Sequence, residues 1–504
     1  MSSESKKTGK AFVGVSIVIF VSKLLGFARD IVFASIFGTT VLTDAFQVIF
    51  SFPSLLFSSV GTALSSVNIP DLTYYINSRT VEERNRYISN LLAQITLGAT
   101  LLTVVGIIFA PALTRLIAPG LDGEVAHITM ILTRIMMPTL LFVSLTYITQ
   151  GILQVHSHFL LSASISVPFN LLIIFALVFR GEDILLLGYV TTIGWLLQFL
   201  IQLPILVKEG YHLFPHIDFT NEHTVNLFKQ LVPILMGNSL LQLSLIIDRS
   251  FATHLSEGTT SALAFGSNLF VTITSIFIVA MSTVVFPRLS KYSLDRDFAQ
   301  IQQMLSNIFK IFLFILTPYL LLVVCYHQEI IALVYERGAF TRESTVMTAS
   351  AFLFYSFAVI GYAGQEIFNR VYYALKKFKI PMTVSIICLA LNIILNVCLG
   401  ETHGIAGISL STSFALLLYA LIMGILVYRE IGPFMQKDFF FFALRLCIPL
   451  GGMLAIIVLF RQFVSGGLIL SFLLPLGLSS LIYLGLSYVG GLNKMLLMKE
   501  DSNS

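Results

Sequence analysis

Charge is scarce in this sequence. Only 11% of its 504 residues are Asp, Glu, Lys or Arg, against 56% hydrophobic ones. A chain so poor in charge cannot clothe a water-soluble surface, and a mean hydropathy of +0.90 describes a protein that crosses a membrane many times. The net charge of +4 is small and the basic residues are spread among loops, so no nucleic-acid footprint is present. The four cysteines, Cys325, Cys388, Cys398 and Cys447, lie in or at the ends of apolar segments without metal-ligand spacing and read as small core residues. No Walker A motif is present, which argues against direct use of ATP. The polar lead MSSESKKTGK is followed by no small-residue cleavage site, so it is expected to stay on the mature protein.

What is present is a series of apolar runs long enough to span a bilayer. They fall at 11–36, 41–67, 91–118, 128–155, 159–180, 184–207, 227–255, 260–287, 302–326, 345–374, 380–399, 404–428, 439–460 and 467–490, which predicts an all-α integral membrane protein of fourteen helices. With the N-terminus in the cytoplasm, seventeen Lys and Arg residues fall on the cytoplasmic side. Only Arg115, Arg180, Arg337, Arg342 and Arg461 fall on the other. The positive-inside rule therefore places both termini in the cytoplasm.

The chain also repeats itself. LSSVNIPDLTYY (64 to 75) resembles MSTVVFPRLSKY (281 to 292), which pairs Pro70 with Pro287. DIVFASIFGTT (30 to 40) resembles DRSFATHLSEGTT (248 to 260), which pairs Asp30 with Asp248. The expectation is two homologous six-helix lobes around a central cavity, 1–208 and 227–430. They are joined by a cytoplasmic linker at 209–226 and followed by two further helices and a tail in 431–504. An even number of helices per repeat gives both lobes the same orientation, an arrangement found in transporters.

Charge inside the first two spans is the strongest local signal. Residues 22 to 53 carry Lys23, Arg29, Asp30 and Asp44 at membrane depth, where charges face a partner or a water-filled cavity. On a helix, Lys23 and Arg29 lie about 120° apart around the axis, so they could flank one side of a cavity. A planar fork and a point charge together suit a multiply charged anion such as a pyrophosphate. The alternative is that Arg29 and Asp30 neutralise their neighbours within a buried network. Farther along, Asn392 and Asn396 lie one turn apart, and Thr412 sits one turn after Ile408. With Asp248 these could form an all-oxygen shell for a small hard cation, or serve as interhelical hydrogen-bond residues.

SKLLGFARDIVFASIFGTTVLTDAF (22 to 46), TALSSVNIPDL (62 to 72), YERGAFT (335 to 341) and NRVYYALKKFKIP (369 to 381) resemble the MurJ (MviN) family of lipid II flippases, over most of the chain. The resemblance implies a carrier of undecaprenyl-pyrophosphate-linked peptidoglycan precursor in the bacterial plasma membrane, working by alternating access. It implies that Lys23 and Arg29 hold the pyrophosphate while Asp30 and Asp44 orient them and line the external gate, and that the last helix pair forms a groove for the lipid tail. It also implies a sodium ion, coupling or structural, at Asp248, Asn392, Asn396, Thr412 and the Ile408 carbonyl. Here Asn396 stands where the family has an acid.

Other departures are Phe57 and Ser58 in place of arginines, Asn268 in place of another, and Lys377-Phe378 where Asp-Thr is expected. Arg249 and Arg134 are candidates to restore the missing charge. A less positive cavity leaves room for another polyprenyl-linked oligosaccharide as substrate. A cation-coupled drug antiporter would call for an acidic cavity and twelve helices. Clustered carboxylates or a histidine base near a membrane face would mark an enzyme, and the buried acids here are few and mostly beside cations. No organic cofactor is expected. The expected partners are the lipid-linked glycan and the bilayer, with cell-wall synthesis proteins as further candidates and a monomer as the working unit. His156 and His158 flank a turn without a ligand-spaced carboxylate and are expected to be interfacial.

Overall fold

The computed structural model describes residues 3–181, 183–211, 216–463, 469–492 and 495. Within them it describes no side chains at 3–16, 54–71, 77, 222–223, 227–228, 230–231, 279–280, 283–284 and 469. Phe57, Ser58 and Pro70 therefore lie outside the described side chains.

Every described element is a helix. The first set runs α1 (Ser3–Phe37), α2 (Val41–Ser78), α3 (Val81–Ile108), α4 (Ala110–Ile117), α5 (Gly123–Met136), α6 (Thr139–Val155), α7 (Phe159–Ser164), α8 (Ser166–Arg180), α9 (Ile184–Leu200) and α10 (Leu203–Lys208). The chain continues through α11 (Glu222–Asn238), α12 (Leu240–Ala252), α13 (Thr259–Leu294), α14 (Phe298–Tyr335), α15 (Arg342–Ser356), α16 (Ala358–Ala374) and α17 (Lys379–Ile431). It ends with α18 (Lys437–Phe463), a π-helical turn (Ile469–Leu473) and α19 (Leu474–Val489).

Local chemistry sets many of the boundaries. Thr40 caps α2 by accepting from the Thr43 amide, and Thr80 with Glu83 forms a full capping box at α3. Asp183, Asn221, Asp297 and Thr341 cap α9, α11, α14 and α15 in the same way. Pro111 and Pro138 break predicted single spans into α3–α4 and α5–α6, because proline lacks the amide a helix interior needs.

Among the described residues nine helices are long and apolar enough to cross a membrane, or ten if α15 and α16, bent by 42°, form one span. The 53-residue α17 covers two of the fourteen predicted spans, which meet at a turn where Gly404 takes φ 56° and ψ −131°. The span predicted at 227–255 is broken at Ser239 into α11 and α12, and those predicted at 11–36 and 41–67 run through stretches of α1 and α2 whose side chains lie outside the described ones. Past the predicted span ends at 67 and 287, α2 and α13 run on as continuous helices to Ser78 and Leu294.

Within the first set, α1 packs on α7 and α8, α2 on α5 and α6, and α6 on α9. Farther along, α12 and α16 pack on α17, and α13 packs on α15 and α16. α2 reaches across to α11, α12 and α13, while α18 and α19 pair with each other and lean on α14. Lipid tails are as apolar as leucine, so close packing rather than escape from water holds such helices together. At one junction Phe33 and Phe46 meet Phe265, Tyr335 and Phe340, with neighbouring ring centroids 5.2 to 6.1 Å apart. This aromatic plug lies deeper along α1 than Lys23 and Arg29.

Candidate functional site

α1 presents Lys23 and Arg29 to one cavity of about 490 Å³, walled by α1, α6, α7, α8 and α9. The side chains therefore share a space despite their angular separation. Lys23 Nζ donates to Ser275 Oγ of α13 at 3.1 Å, which ties the cavity to the second helical set. Arg29 donates to Asp30 Oδ1 from NH2 at 2.7 Å and from Nε at 3.1 Å. Its guanidinium also lies 5.5 Å from the centroid of Phe50 and 5.6 Å from that of Phe169. Arg29 thus carries its own counterion and is held between two rings, which lowers the cost of its charge in a dry setting. An anion with more than one charge could compete for that guanidinium, because the pairing with Asp30 uses one edge of the fork.

The remaining predicted site residues are placed elsewhere. Arg249 is 2% exposed and donates to Ser51, to Ser267 Oγ at 3.1 Å and to Asn268 Oδ1 at 3.2 Å. Arg249 and Asn268 form one buried network, so a cation does stand beside the position where the resemblance leads one to expect arginine. Arg134 is exposed on α5 and does not line the cavity. Asp44 does not touch Lys23 or Arg29. Its carboxylate accepts from the Gly258 amide at 2.8 Å and the Ser261 amide at 2.6 Å, at the start of α13.

That contact belongs to a latch joining the two helical sets at the C-terminal end of α1. α13 begins after Gly258, whose φ of 80° suits glycine and which has no side chain with which to cap the helix. Asp44 supplies the cap from α2, where a carboxylate also meets the positive end of the helix dipole. In return Glu257 Oε1 accepts from the Val41 amide of α2 at 3.2 Å. Thr39 Oγ1 and Ser344 Oγ lie 2.7 Å apart, and the Ala339 amide donates to the Ser35 carbonyl at 2.8 Å. YERGAFT is thus the turn that clasps α1. Gly338, at φ 60°, lies against the Ser35 carbonyl.

The residues predicted to surround a cation meet in the second helical set. Asp248 is fully buried and accepts from Asn396 Nδ2 at 2.7 Å, Thr412 Oγ1 at 2.6 Å and Tyr355 OH at 2.8 Å. Asn392 Nδ2 donates to Thr412 Oγ1 at 3.0 Å, and Ile408 is buried one turn before Thr412. The amide oxygens of Asn392 and Asn396 are buried without a hydrogen-bond partner. A carboxylate, two orphaned carbonyl oxygens and a hydroxyl are donors of the hard type that sodium takes, so the residues present fit that ion. Tyr355, Ser275 and Glu257 were not anticipated. Nothing in a single sequence marks a tyrosine 107 residues from its acid, and the repeat, which pairs Asp30 with Asp248, ends at the helix start that Asp44 caps without pointing to that cap.

Near the other end of α6, His156 and His158 share Glu209. His158 Nε2 lies 2.7 Å from Oε1 and His156 Nδ1 lies 3.3 Å from Oε2. Burial foremost holds the His156 pKa below its ordinary value, and the His158 hydrogen bond foremost lowers that of Glu209. On α16, Arg370 pairs with Glu366 at 3.7 Å and contacts Ser282 of α13.

A helical bundle that presents two cations to one open cavity and is clasped at one end is built as a multi-spanning membrane transporter. A sequence profile of the family described as "Lipid II flippase MurJ" matches residues 33–479. A relative from Buchnera aphidicola subsp. Acyrthosiphon pisum, described as "Probable lipid II flippase MurJ", is 30% identical over 459 residues, 90% of this chain and 89% of the relative. Another from Burkholderia cenocepacia, described as "Lipid II flippase MurJ", is 28% identical and covers 82% of each chain. A solved structure described as "Lipid II flippase MurJ, inward closed conformation" superposes with a TM-score of 0.76 at 26% identity, over 95% of this chain and 99% of that one. The chain belongs to the MurJ family.

Proposed function

We infer that this chain moves lipid II, a peptidoglycan precursor on a polyprenyl pyrophosphate, from the cytoplasmic to the outer leaflet of the bacterial inner membrane. The observation that carries this reading is the pair Lys23 and Arg29 on one cavity wall. The positive-inside asymmetry supports placing both termini in the cytoplasm, which puts the latch at the outer face. In this scheme residues 1–208 and 227–430 act as two lobes. The pyrophosphate takes Arg29 from Asp30 and neutralises Lys23, which removes the charge that opposes closing the cytoplasmic mouth. The latch then opens, and the polyprenyl tail stays in lipid throughout. Transport of this kind is alternating access between two states whose balance the substrate shifts.

Sodium would be held by Asp248, Asn392, Asn396, Thr412 and the Ile408 carbonyl, where it would offset the buried carboxylate. Asp248→Asn is then expected to abolish any sodium dependence of transport, measured in proteoliposomes with and without a sodium gradient. An unchanged sodium response would refute the ion site.

Another polyprenyl-linked glycan is the second reading, favoured by one observation. Among the described residues lining the cavity, Lys23 and Arg29 are the only cations. Rescue of a bacterium depleted of its own lipid II flippase by the wild type, and not by Arg29→Ala, is the expected result. Failure of a well-expressed wild type would overturn the lipid II reading in favour of the second.

A further inference from the structure

The cavity is much larger than two cations require, and most of its polar lining is neutral. α6, α8 and α9 contribute Thr146, Gln150, Gln154, Asn170 and Gln198, with Trp195 beside them. Three of these are nine-tenths or more buried and still have hydrogen-bonding capacity to spare. Asn170, 4% exposed, donates through Nδ2 to the Ser166 carbonyl, but its Oδ1 has no partner. Thr146, 1% exposed, has an unpartnered hydroxyl, and the Gln198 side chain, 3% exposed, makes no hydrogen bond among the described residues. Trp195, the only tryptophan in the sequence, packs on Phe169 at 5.2 Å between centroids, and Phe169 in turn lies under Arg29.

These groups select among the chemical parts of a polyprenyl-linked glycan. A hydrocarbon tail would leave the amides unmet, and an acidic peptide would call for more cations. Amides and hydroxyls that both donate and accept match sugar hydroxyls and acetamido groups, and an indole offers an apolar face to sugar C–H bonds. Backbone geometry links the two regions. Gly26 stands midway between Lys23 and Arg29 on α1, and a Cβ there would sit 3.8 Å from the Asn170 amide. At Gly26 the backbone between the two cations thus lies within side-chain reach of the amide wall.

We propose that the wall formed by Thr146, Asn170, Trp195 and Gln198 is a sugar subsite that seats the N-acetylated sugar next to the pyrophosphate. It rests on the reading of the chain as a polyprenyl-pyrophosphate carrier, and adds a specificity-determining wall to the site that reading uses.

The test uses the full chain in nanodiscs and two probes, undecaprenyl pyrophosphate and undecaprenyl-pyrophosphoryl N-acetylglucosamine. Affinity is measured with radiolabelled lipid, and the sole tryptophan reports occupancy of the wall. Both lipids are expected to bind, and only the sugar-bearing one shifts Trp195 emission. It should bind tighter by about fivefold or more, the ratio that one ordinary hydrogen bond supports. Gln198→Leu and Asn170→Leu should each remove that advantage while leaving the affinity for the bare lipid unchanged, which also shows that the variants are folded. Equal affinity and equal emission for the two lipids in the wild type would overturn the subsite and leave the carrier reading standing. Binding of neither lipid would overturn both.

Discussion

The Asp44 cap should control how readily the latch opens. The carboxylate accepts two buried backbone amides, at 2.8 and 2.6 Å, from the first turn of α13. A hydrogen bond to a charged group contributes about 1.5–3 kcal/mol, and the helix dipole adds up to about 1 kcal/mol for an anion so placed. In an opened latch those amides face water, so Asp44 contributes little there. Taking the lower figures, Asp44→Ala weakens the closed latch by about 3 kcal/mol, or roughly a hundredfold in the open–closed balance. Asp44→Asn keeps a neutral acceptor and is expected to cost about half as much, roughly tenfold. Thr39 and Ser344, whose hydroxyls lie 2.7 Å apart, provide the reporter. In a chain whose native cysteines are replaced, Thr39→Cys with Ser344→Cys should form a disulfide quickly. Asp44→Asn should slow its formation, and Asp44→Ala should slow it further. Identical rates in all three chains would show that the cap is equally satisfied in both states and would refute the reasoning.

Arg29→Lys should behave much like Arg29→Ala in the growth rescue, because an ammonium loses both the fork on Asp30 and the stacking between Phe50 and Phe169. A tenfold or smaller loss in transport rate, about 1.4 kcal/mol, would show that charge alone suffices. Gly338→Ala places a side chain at φ 60° against the Ser35 carbonyl. It should cost about 1–2 kcal/mol, read as a lower thermal unfolding temperature and slower closure of the same cysteine pair. At the α6 end, His156 is held below its ordinary pKa of 6.5 and Glu209 below 4.5. A depressed folded-state pKa means that the unfolded chain binds protons first as pH falls. Stability should therefore decline as pH drops below 6.5 and again below 4.5. His156→Gln should remove the first decline and leave the second; persistence of both would exclude His156 as its source.

Apolar run length made the all-helical fold legible, while the caps that start α2 and α15, Thr40 and Thr341, emerged only from the structure. Run length could not tell a straight helix from a broken one, so single predicted spans became α3–α4, α5–α6 and α7–α8. Two others follow each other directly in α17, separated only by the kink at Gly404, where the backbone leaves helical geometry. At the site, the depth of Lys23, Arg29 and Asp30 exposed the cavity because charge in an apolar run is costly wherever it points. Asp44 was equally conspicuous, but its partners were not. They are backbone amides about two hundred residues away, and amides carry no residue identity to read. The spacing of Asn392, Asn396 and Thr412 showed one face of a polar cluster, while Tyr355 reaches it from a helix whose own pattern is unremarkable.

A helix that borrows its cap has a consequence for how an empty carrier rests. α13 has no side chain of its own at Gly258 to satisfy its first amides, so its lowest-energy partner stands on α2. The seal at that end therefore rests on the preference of this helix start for Asp44 as well as on the ring packing beside it, and an unloaded molecule returns to it without needing a ligand to push it shut. Such a seal can be loosened by solutes as well as by mutations. Small carboxylates or phosphate at high concentration compete for the same amides, and would act on the resting state of every molecule in the membrane at once.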